Sequence, residues 1–317
     1  MEYRNFTFVY HNTTNSTVDS LSSLDLSVWF ITTIIVAVLG SVLITFLLTT
    51  LFSHRQLRTS SGICVANYMF IELMLCAVET PLHALPVYFR ITIFNCTALV
   101  CSLQTFNHAN NWAAVLLAVN RFIALVYPYR YTKSFSRGYA TIGIPMMWMY
   151  IFLCSIPFYS QTAVKLGYLP SGACSVIRAN GSYFFVMGSL NTYLPIGIMG
   201  ILYAFLFCMK NMSVKVNIAG INTPRNYRRQ RRLQMIKVLF LTFVINCLCL
   251  IPVPILNQFY PGVWRNNPRA LLWTRTLAIG GYALNPLTFF MVSGDYRRGA
   301  KRAFGNWTAS GSNSQRN

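Results

Sequence analysis

Glu72, Glu79 and Arg121 each interrupt a long apolar run, where a charge is expensive unless it has work to do. The two glutamates are seven residues apart, two helical turns on one face, and could meet a cation or a set of amides. Arg121 ends a run free of charge from Ile91 onward, in Ala118-Val119-Asn120-Arg121-Phe122. Cys96 lies 25 residues before it, which on a helix is about 37 Å, roughly one hydrocarbon core plus an interface. His83 and His108 stand alone in apolar runs, where a histidine more often satisfies a neighbour than binds metal. No metal-ligand spacing, nucleophile–base pair or phosphate-cradling glycine loop accompanies them, so neither an enzyme nor a metal site is expected.

Seven apolar spans must position these groups: Leu26–Phe52, Ser61–Phe89, Thr97–Tyr127, Tyr139–Tyr159, Tyr183–Met209, Val238–Tyr260 and Leu271–Val292. Each is long enough for a tilted membrane helix. Only 10% of the 317 residues are charged, far below a soluble domain, so the expected fold is an all-α membrane protein, a seven-helix bundle. Nineteen of the 26 basic residues flank one side, including Arg130, Lys210, Arg232 and Arg298, which puts that side in the cytoplasm and the N-terminus outside. The net charge of +20 then reads as loops anchored on anionic lipid, and a nucleic-acid partner is not expected. Asn5, Asn12, Asn15 and Asn180 begin Asn-x-Ser/Thr triplets on the outer side and are expected glycosylation sites; Asn95, beside Cys96, is a weaker one. No basic leader precedes the first span, which is expected to act as its own insertion signal. The domains are then a glycosylated N-terminus over 1–25, a transmembrane unit over 26–293 and a short tail over 294–317.

Of nine cysteines, Cys96 and Cys174 hold oxidising, extracellular positions and are expected to pair, with Cys101 the competitor for Cys174. The remaining six lie within apolar spans as packing residues.

With these landmarks the chain resembles a rhodopsin-like (class A) G-protein-coupled receptor along all seven spans. Gly40-Ser41-Val42 stands where that family has Gly-Asn-Val. Asn67 and Glu72 precede Pro81 in the second span, Trp148 marks the fourth, Pro195 and Tyr203 the fifth, and Pro252 the sixth. Asn285-Pro286-Leu287-Thr288-Phe289 resembles the seventh-helix Asn-Pro-x-x-Tyr motif, followed by Asp295–Phe304, an amphipathic stretch like the family's short eighth helix. The resemblance implies a plasma-membrane receptor that activates a heterotrimeric G protein and engages arrestin through tail sites such as Ser310 and Ser312. Asn120, Arg121, Phe122, Tyr203, Arg232, Asn285, Pro286 and Phe289 would carry coupling and activation.

Departures from the family shape further expectations. Asn120-Arg121-Phe122 replaces Asp/Glu-Arg-Tyr, and Arg232 stands where many relatives place an acid, so no salt-bridge latch is expected and basal activity should be raised. Leu250 and Asn246 replace aromatic residues of the sixth helix, so a tryptophan switch is not carried over. Glu72, Asn110 and Asn285 form a candidate polar core where the family binds sodium; no other cofactor is expected, and the alternative is a neutral glutamic acid bonded to the amides.

Leu103 occupies the position of the aspartate in amine receptors, and the seventh span has no lysine for a retinal Schiff base. Glu79, His83, Leu103, Asn107 and Arg275 are the candidate ligand pocket, and the basic outer side suits an anionic lipid or a peptide. A non-signalling decoy or adhesion-type receptor is the alternative, and a transporter would need an inverted repeat that is absent from the sequence.

Overall fold

The computed structural model describes residues 23–53, 59–90, 95–127, 131, 136–162, 164–168, 173–179, 181–215, 240–259, 267–292 and 297. Helix α1 is Ser23–Ser53. Helix α2 runs Ser60–Met74, widens through a π-helical turn at Leu75–Glu79 and continues as Thr80–Phe89. Helices α3 (Cys96–Val126) and α4 (Ser136–Tyr159) follow, then strands β1 (Val164–Tyr168) and β2 (Cys174–Ala179). Helix α5 is Gly181–Gly188, a π turn at Ser189–Tyr193 and Leu194–Lys215. Helix α6 covers 240–250, bends at Ile251 and resumes as Pro252–Phe259; α7 is Pro268–Val292. The seven expected spans are therefore seven helices, while the eighth-helix stretch falls outside the described residues apart from Arg297.

Sequence punctuation explains the ends. The Asn95 side-chain oxygen accepts from the Thr97 and Ala98 amides, capping α3, which occupies the very side chain of that weaker sequon. Asn267 caps α7 through the Ala270 amide, with Pro268 as first helical residue. Pro252 has no N–H to offer, and α6 bends at the residue before it.

The contacts give the direction of each helix. Between α1 and α7, Trp29 donates to the Leu272 carbonyl and the Thr33 and Thr276 hydroxyls bond at 2.8 Å, both pairs 243 residues apart. A constant separation means parallel helices. Between α2 and α3 the separation grows from 16 at His83–Leu99 to 23 at Glu79–Ser102 and 56 at Cys64–Asn120, as antiparallel neighbours require. Between α3 and α5 the separation is 80 at Asn111–Asn191 and 83 at Phe122–Phe205, so these two run parallel. The order is an up-and-down bundle whose two ends are marked by Cys96 and Arg121.

On α1 the buried residues recur every three or four positions (Trp29, Thr33, Ala37, Gly40, Ile44, Leu47, Leu51) along this seam. A Cβ on Gly40 would lie 2.9 Å from that of Ala283, so only glycine lets the two backbones approach. The opposite faces stay apolar. Ile142, Met146, Met149, Leu153 and Ile156 of α4 are exposed at helical spacing, whereas Glu72, Asn110, Asn120 and Asn285 are buried. Apolar outside and polar inside is the pattern that lipid selects. Four helical stretches are long and apolar enough to cross a membrane by composition alone: Ser23–Ser53, Ser60–Phe89, Gly138–Tyr159 and Gly181–Leu206. Helix α3 falls short because Gln104, Asn107, His108, Asn110 and Asn111 interrupt its apolar run.

The π turn of α5 is pinned by α3. The Asn111 amide donates to the Asn191 carbonyl at 2.9 Å, and the Trp112 indole N–H donates to the Asn191 side-chain oxygen at 3.2 Å. Trp112→Phe keeps the ring and removes the donor, leaving a buried oxygen unpaired. It should cost about 1–2 kcal/mol in thermal unfolding of the purified protein, and an unchanged melting temperature would show that the bond carries no weight.

The strands were not expected. They pair antiparallel with Tyr168 opposite Cys174 and an irregularity between Lys165 and Leu166, a bulge of one residue. A lone hairpin is marginal in water. Here Cys174 is bonded to Cys96, with Cα atoms 5.5 Å apart, and packs with Leu99, Leu82, Val100 and Tyr168. Cys101 is a free, buried thiol beside Phe158 and Val164, which removes it as the competitor.

Candidate functional site

Three groups of side chains lie along the bundle axis. At the Arg121 end, Asn120 is fully buried and its amide nitrogen approaches the Cys64 sulfur at 3.7 Å. Arg121 is half-buried and lies within electrostatic reach of Tyr203, Tyr131 and Cys64. Phe122 meets Phe205 of α5 at 5.5 Å between ring centres, and buried Tyr203 meets Phe243 of α6 at 5.3 Å. Arg121 and Tyr203 are therefore brought together, and Tyr131, in the connection after α3, is a neighbour that sequence reasoning missed. Arg232 lies outside the described residues.

The middle group is a closed polar network. Asn285 donates to a Glu72 carboxylate oxygen, and its amide nitrogen also lies 2.9 Å from the Tyr68 hydroxyl and 3.1 Å from Asn246 Oδ1. Asn246 in turn donates to the Tyr68 hydroxyl at 2.9 Å. An amide nitrogen has two hydrogens, so Asn285 serves Glu72 and Asn246, and Tyr68 accepts from Asn246 while its own proton serves Glu72. One turn on, the Thr242 and Thr288 hydroxyls bond at 2.9 Å, again joining α6 to α7. Glu72 and Asn285 meet as expected. Asn246 and Tyr68 join that pair, while Asn110 is buried on α3 and no hydrogen bond reaches its oxygen. Tyr68 was legible as the residue four before Glu72 on the same helix face. Asn246 stood out as a departure, but nothing along the chain linked it to Glu72. The second Glu72 oxygen and the side-chain oxygens of Asn110 and Asn285 are buried without a protein partner. Oxygen donors of this kind suit a small hard cation.

The third group lies toward the Cys96 end. Glu79 is not stacked over Glu72 as the seven-residue spacing implied. The π turn inserts extra rotation, so Glu72 faces α7 while Glu79 faces α3, accepting from Ser102 at 3.2 Å. The Leu75 carbonyl accepts the Thr80 N–H across the wide turn and takes a second bond from the Thr80 hydroxyl at 2.7 Å. His83 Nε2 is 3.0 Å from the Leu99 carbonyl and 3.8 Å from Glu79, and lies within electrostatic reach of Arg275. Lower down, the Tyr282 hydroxyl donates to Asn107 Oδ1 at 2.8 Å, locking α7 to α3. Leu103 packs at the edge of the main core. At the rim, Arg269 pairs with Asp25 at 2.6 Å, joining the starts of α1 and α7. The glycosylation candidates Asn5, Asn12, Asn15 and Asn180 lie outside the described residues.

Comparison with known proteins follows this geometry. Residues 44–289 match the family model of the seven-transmembrane receptors of the rhodopsin family. The chain is 22% identical over 293 residues to neuromedin-U receptor 2 of Homo sapiens, covering 85% of this chain and 69% of that receptor. It is 23% identical over 262 residues to opsin-1 of Manduca sexta, covering 75% and 67%. Against the neuromedin-K receptor of Homo sapiens it is 24% identical over 292 residues, covering 85% and 59%.

Proposed function

The chain belongs to the rhodopsin family of seven-transmembrane receptors, and on that premise we propose that it binds an extracellular ligand at the Cys96 end and promotes nucleotide exchange on a heterotrimeric G protein at the Arg121 end. It sits in the plasma membrane with the N-terminus outside, the orientation that the basic loops favour. Its domains are the glycosylated segment 1–25, the bundle 26–293 and the tail 294–317, whose serines are candidate arrestin determinants.

The observation that carries this reading is the polar column through the bundle. It runs from Glu79 and His83 through Asn107–Tyr282 and Glu72–Asn285 to Tyr203 and Arg121, with α3 and α7 contributing at successive levels. A ligand that changed the α3–α7 contact would bias a network that also holds α6 through Asn246, which is how binding at one end shifts a population at the other. Asn285, Pro286 and Phe289 lie along that column, Asn120 and Phe122 frame the coupling end, and Arg232, outside the described residues, is a further coupling candidate. A sodium ion held by Glu72, Asn110 and Asn285 would supply charge opposite an ionised Glu72; the protein's own part is the set of oxygens.

The relatives named for neuromedins favour a peptide over an amine, and Leu103 in the amine-binding position agrees. The likeness to an opsin does not extend to retinal, because Pro268–Val292 contains no lysine. The Asn120 amide beside Arg121 keeps a non-signalling receptor as the second reading.

Nucleotide exchange on a purified heterotrimer, with and without the receptor, tests both. Wild type should exceed an Arg121→Ala control without added ligand, because an amide holds the guanidinium less firmly than a carboxylate. Asn120→Asp supplies that carboxylate and should reduce basal exchange five- to thirtyfold, the equivalent of about 1–2 kcal/mol. Equal exchange by wild type and Arg121→Ala would refute the basal-activity reading. No exchange under any condition would favour the decoy.

A further inference from the structure

We propose that Arg275 is the anchor for a ligand carboxylate, and that the ligand is an amphiphilic monocarboxylate with an apolar body; this rests on the receptor reading above. Arg275 is seven residues before Tyr282, so both project from the same face of α7, the face that Tyr282 turns toward Asn107 of α3. The adjacent residue Thr276 faces α1. Arg275 therefore lies about two turns above the Asn107–Tyr282 bond, between α7 and the His83 side of α2.

The second observation is an inventory of acids. The chain has six: Glu2, Asp19, Asp25, Glu72, Glu79 and Asp295. Asp25 is taken by Arg269, Glu72 by the Asn285 network, and Glu79 by Ser102 and His83. Among the described residues Arg275 makes no hydrogen bond or ion pair, and the three remaining acids, Glu2, Asp19 and Asp295, lie outside the described residues. A guanidinium set among helices without a counter-ion is costly, which points to a partner from outside.

The surroundings select the chemistry. The planar fork of arginine matches a carboxylate through two parallel hydrogen bonds. A monocarboxylate needs one cation, and the guanidinium supplies it. His83, Leu103, Asn107, Arg275 and Ile279 are all partly exposed although they sit around the α2–α3–α7 contacts, so the helices leave an opening there, and Leu103 and Ile279 give it apolar wall. A lipid acid and a peptide with a free C-terminal carboxylate and apolar last residues share this chemistry.

The test uses the full chain purified in neutral detergent, with thermal unfolding as the readout and two probe arms. One arm compares oleate with methyl oleate. The other compares a set of short apolar peptides carrying a free C-terminal carboxylate with the same peptides as amides. In at least one arm the acid should raise the unfolding temperature and the neutral form should not, and the responding arm identifies the source. Arg275→Gln should weaken the acid's apparent affinity tenfold to a hundredfold. Arg275→Lys, which keeps the charge and so guards against a folding defect, should retain binding weakened several-fold. Ligand-free nucleotide exchange by wild type against the Arg121→Ala control reads the receptor proposal separately, so loss of the acid response is separable from its failure. The proposal is overturned by equal shifts from acid and neutral forms, by no shift in either arm, or by an undiminished shift in Arg275→Gln. It is also overturned if Glu2→Gln with Asp19→Asn lowers the ligand-free unfolding temperature in wild type but not in Arg275→Gln, since the chain's own N-terminus would then be the partner.

Discussion

Cys174→Ser is expected to lower the unfolding free energy by about 4–5 kcal/mol. The Cys96–Cys174 bridge spans 78 residues, and loop-closure entropy of that length gives this magnitude for the unfolded chain it constrains. The native state loses something more specific. Without the bridge, the β1–β2 hairpin relies on its own ladder, the packing around Leu99, Leu82 and Tyr168 at the start of α3, and that of Val164 on Cys101 and Phe158. Loss of surface expression, or of a cooperative melt in detergent, would register the change. The control is a cycle: once Cys174 is gone, Cys96→Ser should add little. Cys101→Ser should be nearly silent, since that thiol is free and only packs. A large effect of Cys101→Ser would mean that the oxidised pairing differs.

The second large effect is expected at Asn285. Asn285→Ala deletes the donor to Glu72 and the donor to Asn246 together, and every group left behind is buried. Removing one partner of a buried polar pair leaves the desolvation cost uncompensated, about 3–5 kcal/mol. Glu72→Gln keeps the volume and a bonding oxygen, and should cost under about 1.5 kcal/mol by the same reasoning. Replacing both members by apolar groups removes the unpaired charge, so Asn285→Ala with Glu72→Leu should be less damaging than Asn285→Ala alone. Melting temperatures of wild type, Asn285→Ala, Glu72→Leu and the double variant form the cycle. Strict additivity would show that Glu72 and Asn285 do not act as one unit. Both substitutions should also impair exchange, because the network ties α2, α6 and α7 at the level where α6 must move.

Much of this arrangement is written along the chain. Seven apolar runs of membrane length, basic residues biased to alternate connections and two cysteines on one side are local patterns, and lipid reads them as helices with little ambiguity. Even the helix ends follow local chemistry, as Asn95, Asn267 and Pro252 show. The candidate coupling residues Asn120, Arg121 and Tyr203 were also legible, because each stands at a fixed offset within its own helix.

What the chain alone left open is which polar groups meet. Asn110 and Asn246 are both buried amides at mid-helix, yet Asn246 joins Glu72 and Asn285 while no hydrogen bond reaches the oxygen of Asn110. Facing depends on the rotation and tilt of α3 and α6, and an apolar run does not encode these. Glu79 shows the point most plainly. Helical spacing stacked it over Glu72, and one π turn before Pro81 rotated it to α3. The β1–β2 hairpin is likewise a product of assembly, since a two-stranded ribbon with a bulge forms only where the bridge to α3 and the packing beneath hold it. Sequence by itself determined the helices, their order and the ends on which charge and cysteine fall, because those depend on the solvent each residue prefers. Tertiary structure decided the partners, because a hydrogen bond depends on distance and angle between helices whose relative rotation only packing sets.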